Sequence, residues 1–197
     1  MRKLIYVIFL LVSMVFLSGC NNAAVTEYRE ELQSTADEML TIAADAEDIL
    51  NMYASVWSHS IQSRGSITVS EMANITGLNE SEVREHFVIN SIGNIPDDFS
   101  TNVQSMVSYY KTTGKLDEIE MTSEDIKKKI SELNNPPEGY TDVYNELLDM
   151  YIYIEEYTGL ALNPTGSLQS FNDNREQLTS DILGKYTRIE VVMPSEE

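Results

Sequence analysis

The sequence predicts an all-α fold, a helical bundle organised on one long amino-terminal helix. Three observations predict it. Residues 26–63 contain neither Gly nor Pro and carry apolar side chains at helical spacing. Later segments repeat that spacing between recognisable start and stop signals. No stretch alternates apolar and polar residues with period two, so little or no sheet is expected.

In the first helix Tyr28, Leu32, Met39, Ile42, Ala46, Ile49, Tyr53 and Val56 recur at steps of three and four, interrupted only by Thr35. A second row, Ala36, Ala43, Leu50 and Trp57, repeats every seven residues beside it. The combined stripe is wider than a coiled-coil seam and suits a helix with several neighbours. At 1.5 Å per residue it spans roughly 55 Å. Thr68-Val69-Ser70-Glu71 is a capping-box pattern, and a second one starts at Asn79, so residues 66–90 read as a small helical hairpin. A loop over 91–100 follows, with Gly93 and Pro96. Val103, Met106, Val107 and Tyr110 mark a helix stopped by Gly114, and Thr122 opens another with Ile126, Ile130 and Leu133 inward. After Pro136-Pro137, Tyr140, Tyr144, Leu147, Tyr151 and Ile154 share one face of a helix expected to end at Thr158-Gly159. Leu168, Phe171, Leu178, Ile182 and Ile189 define the last helix, with Arg175 and Lys185 breaking its row.

The amino terminus sets the address. Arg2 and Lys3 precede an almost unbroken apolar run over residues 4–17, too short for a comfortable membrane span and suited to a secretion signal. Leu17-Ser18-Gly19-Cys20 then closes it with the only cysteine in the chain. This ending resembles the lipobox of bacterial lipoproteins. The resemblance implies cleavage before Cys20, a thioether-linked diacylglyceryl group on its sulfur and acylation of the new amino terminus, hence a lipid anchor on the extracytoplasmic face of a cell membrane. If the host has two membranes, the outer one is a further location. The expected organisation is a signal over 1–19, the lipidated Cys20 and a tether to residue 25, one helical domain over 26–190, and a loose tail over 191–197.

The composition bounds the partners. With 32 acidic residues against 13 basic, the net charge is −19, and two of the basic residues leave with the signal. Such a chain repels phosphate backbones, which argues against nucleic acid as a partner. It also stands off anionic lipid, so membrane contact is expected through the acyl chains alone. No second cysteine exists to form a disulfide, so packing must supply the stability.

Four side chains are candidates for binding or interaction. Trp57 and His59, at the end of the long helix, border a small pocket, or else Trp57 plugs the bundle end and His59 meets solvent or a tyrosine. Tyr153 and Tyr157 point away from the face shared by Tyr140, Tyr144 and Tyr151. They offer aromatic contact area with a polar tip, or serve a second buried face. Ala73, Gly77 and Val83 are spaced as in a helix-turn-helix, which the segment resembles. Its second helix is acidic, with Glu80, Glu82 and Glu85 outnumbering Arg84, so a structural hairpin is the expected role. Neither histidine has a metal-site spacing, no calcium loop occurs, and no nucleophile or phosphate-loop motif is present. The expectation is therefore a non-enzymatic lipoprotein without metal or cofactor, resembling the small helical lipoproteins of bacteria. Its expected role is to present a helical face to a protein or envelope partner. The alternative is a small-ligand-binding accessory lipoprotein with a pocket near Trp57.

Overall fold

The computed structural model describes the backbone of residues 2–195 and the side chains of residues 23–195. The lipobox side chains, Cys20 among them, lie outside the described residues. Seven helices are described: α1 (Arg2–Gln62), α2 (Val69–Thr76), α3 (Glu80–His86), α4 (Phe99–Thr112), α5 (Lys115–Glu132), α6 (Thr141–Leu162) and α7 (Leu168–Val192). Two short strands, β1 (Ser66–Ile67) and β2 (Ile95–Pro96), pair antiparallel with Ser66 opposite Pro96 and Ile67 opposite Ile95. The all-α class predicted from the sequence is what the chain adopts.

α1 is the axis. It packs against α2 and against α4 through α7, while α6 and α7 form the most extensive helix pair. Its apolar rows are covered as their spacing requires: Leu32, Met39, Ile42, Ala46, Ile49, Tyr53 and Val56 are buried, as are Ala36, Leu50 and Trp57 of the second row. Thr35, in the gap of the first row, is fully buried as well. Its hydroxyl donates to the Glu31 carbonyl at 2.7 Å, so the helix itself satisfies the polar group. Tyr28 is half-buried and donates to the Leu133 carbonyl at 2.9 Å, tying α1 to the end of α5.

The hairpin forms as its capping signals dictate. Thr68 and Asn79 each complete a capping box, and Gly77 ends α2 with φ of 71° in the left-handed region. Val83 and Phe87 are buried beneath it, whereas His86, which sits where the helix-turn-helix pattern prefers an aliphatic residue, is not. Asn102 locks this end of the bundle. It is buried, and its amide donates to Ser60 Oγ at 3.0 Å and to the Pro96 carbonyl at 2.9 Å, joining α4 to α1 and β2.

Four boundaries differ from the sequence reading. α1 is already helical at Ala23, upstream of residue 26. α5 starts at Lys115, not at Thr122. Gly114, with φ of 79°, turns the chain directly out of α4 and no side chain caps the new helix, so the start carries no polar signature. Leu116 and Ile119 are buried in the turns that this earlier start adds. α6 runs through Gly159 to Leu162, because Ala161 is buried and Leu160 packs on the core. Their burial outweighs the roughly 1 kcal/mol that a helical glycine costs. The last helix also ends later than residue 190, at Val192.

Gly159 and Gly184 are both exposed inside helices, and a Cβ built on either meets nothing within 4 Å. Gly159→Ala and Gly184→Ala should each stabilise the fold by about 0.5–1 kcal/mol, since alanine narrows the unfolded ensemble without a native clash. Urea unfolding followed by helical circular dichroism checks both, and destabilisation by either would show that the helix there is not as described.

Candidate functional site

The four sequence candidates do not meet. Trp57 is 5 % exposed, with its ring stacked on Phe99 (centroids 5.6 Å apart, planes at 10°) and tilted on Phe171 at 5.7 Å. One edge of it lines a shallow hollow of about 240 Å³ with Val103 and Pro164. His59 opens on a separate and larger groove. Tyr153 is half-buried beside Leu160 and Leu178 in a hollow between α6 and α7. Tyr157 is 1 % exposed, which corrects its assignment to an outward interaction face: α7 covers that side of α6, and Thr179 donates to the Tyr157 hydroxyl at 3.0 Å. Only His59 therefore stands at a candidate site.

That site is the groove. Asn51, Ser55, Ser58 and Gln62 follow one another along α1 at steps of four, three and four, so they share one face over about 16 Å of helix. Asn172 and Arg175 of α7, one turn apart, form a second wall, and Ile75 comes from α2. Ala54 and His59 complete the lining of a volume of about 710 Å³. Seven of the nine lining side chains are polar and none is a carboxylate, in a chain with 32 acids.

Its electrostatics follow from that lining. Arg175 is half-buried and donates to Asn51 Oδ1, a neutral acceptor. Among the described residues it forms no ion pair. Lys185, nearly three turns along α7, is the contrast: it sits 2.6 Å from Asp149 and 2.8 Å from Glu146, and their hydrogen bonds raise its pKa. Asn172 lines the groove with an Oδ1 that is shielded from solvent and has no donor. Glu71 of α2 interacts electrostatically with His59. Its carboxylate already accepts from the Thr68 backbone N–H and hydroxyl, both at 2.8 Å, which lowers its pKa.

Sequence reasoning found His59 and passed over Asn51, Ser55, Ser58, Asn172 and Arg175. A signal was there: no Asp or Glu occurs between Asp48 and Glu71, although acids crowd the helix before that point. Among the described residues no group of three or more His, Cys, Asp or Glu is placed to hold a metal ion. None of the described helices is long and apolar enough to cross a membrane. Comparisons with protein families, with curated proteins and with solved structures find no match to this chain.

The tyrosines belong mainly to the core. Burial, with Tyr144 adding to it, raises the pKa of Tyr28 to about 12, and burial with Tyr109 raises that of Tyr110 to about 12. Tyr53 is shifted upward by burial too, and its hydroxyl is enclosed without a hydrogen-bond partner. Phenols held protonated by the fold retain protons that the unfolded chain loses above its ordinary value of 10.0. Their contribution is therefore intact below about pH 10 and lost as pH rises through the folded values. Stability should fall between pH 10 and 12, in step with tyrosinate absorbance at 295 nm, and Tyr53→Phe should raise stability by about 1 kcal/mol at neutral pH. A destabilised Tyr53→Phe variant would mean that the hydroxyl has a partner.

Proposed function

We propose that the chain is a lipid-anchored, extracytoplasmic and non-catalytic binding protein that presents the end of α1 remote from Cys20 to a protein partner of the envelope or cell surface. Leu17-Ser18-Gly19-Cys20 supports the anchor. Two or more acyl chains hold durably, at about 0.8 kcal/mol per buried methylene. From Ala23 to Gln62 the helix rises roughly 60 Å, enough to carry its far end well clear of the headgroups. The strong negative charge keeps the bundle off anionic lipid.

One observation carries the partner reading. Ile92 is 77 % exposed at the tip of a loop braced by its own hydrogen bonds. Asn90 Oδ1 accepts from the Ile92 and Asn94 backbone N–H groups at 3.1 and 3.0 Å, and the Asn94 amide donates to Ser66 Oγ at 3.2 Å. An isoleucine fixed in water by its own scaffold has a pre-organised shape and little left to lose on docking. Ile61, in the last turn of α1, and Val88, after α3, are exposed at 54 % and 53 % on the same end. Residues 64–98 hold six acids against two bases, so the matching surface is an apolar pocket rimmed by basic side chains.

Mass spectrometry of the purified amino terminus should find diacylglyceryl-modified Cys20, and Cys20→Ala should leave the detergent phase. A photo-crosslinker at position 92 in intact cells should capture one specific neighbour, whereas one at Val191, exposed at the opposite end of α7, should not. Ile92→Asp should cut that capture at least tenfold while leaving the unfolding curve unchanged, a tenfold loss being about 1.4 kcal/mol. An unmodified Cys20, or equal capture from positions 92 and 191, would overturn the reading.

A further inference from the structure

We propose that the groove along α1 from Asn51 to Gln62 binds an acidic saccharide. The size fits, since ligand clefts run from roughly 300 to 1,000 Å³ and this one measures about 710 Å³. Its chemistry selects the class. Asn, Gln and Ser side chains each offer both a donor and an acceptor, as sugar hydroxyls do, and five such residues line the groove. Arg175 supplies the anion contact. Its guanidinium is half-buried, spends a donor on the neutral Asn51 and forms no ion pair among the described residues, so a planar fork remains for a ligand carboxylate.

The absence of acids from the lining removes the local repulsion that an anion meets elsewhere on this surface. Acids farther off matter less, because at physiological ionic strength fields decay within about 8 Å, and Asp173 and Glu176, the chain neighbours of Asn172 and Arg175, do not line the groove. Glu71 of α2, which interacts with His59, has its carboxylate engaged by Thr68. An acidic peptide fits less well. Extended peptides are recognised through a sheet edge or through pockets for alternate side chains, and here Ile75 and Ala54 are the only apolar lining residues. This site is independent of the Ile92 tip and of any partner bound there.

The test is calorimetry on the full chain in detergent micelles with three probes: trigalacturonate, a neutral trisaccharide and triglutamate. Saturable binding of trigalacturonate, with the neutral sugar at least tenfold weaker, is the expected result. Arg175→Gln should weaken it by about tenfold or more, the loss of one charge-assisted pair. Ser58→Glu should abolish it by placing a carboxylate in the groove without touching Arg175. Unfolding curves matching the parent identify both losses as local, and if Arg175→Gln fails to fold, Ser58→Glu decides. No saturable binding, equal binding of the neutral sugar, tighter binding of triglutamate, or indifference to Ser58→Glu would each overturn the proposal.

Discussion

Burying two adjacent rows of side chains on α1, the one from Leu32 to Val56 and the one from Ala36 to Trp57, takes more than one partner helix. That requirement shapes the molecule. α4 and α5 cover one side of the stripe, α6 and α7 the other, and α6 lies against both α5 and α7. With no disulfide available to a chain of one cysteine, this apolar closure and the cross-links within it hold the fold. Those cross-links include Tyr28 to the end of α5, Asn102 to Ser60 and Pro96, Thr179 to Tyr157, and Lys185 to Glu146 and Asp149.

Charge is distributed along the same axis. The exposed face of α1 up to Asp48 is rich in carboxylates, and one of them, Glu38, meets a cation from another helix, Lys129 of α5. Beyond Asp48 the face turns neutral and polar, and α7 brings Arg175 against it. At the far end the 64–98 segment is acidic again around an apolar tip. A protein that repels most anions over its length thus has one stretch that does not. The groove and the tip differ in chemistry, and they suit different ligands.

Most of the fold was legible because its signals are local. The apolar spacing from Tyr28 to Val56 and the capping boxes at Thr68 and Asn79 act within a few residues of the chain. What escaped was decided by tertiary contact. The start of α5 at Lys115 rests on a glycine turn with no capping side chain, and the passage of α6 through Gly159 rests on the burial of Ala161. The second face of α6, which encloses Tyr157, exists only because α7 folds back over it. The groove needed the same fold-back, since Asn172 and Arg175 stand more than 100 positions from the α1 residues they face. From one helix alone, Asn51, Ser55, Ser58 and Gln62 read as ordinary solvent-facing residues.

The chain has a single tryptophan, and it sits where α1, α4 and α7 converge. Its indole is dry only while Phe99 and Phe171 are both in place, so withdrawal of either helix would expose it to water and shift its emission to the red. The purified protein thereby carries its own optical gauge of closure at that end, readable without attaching a dye.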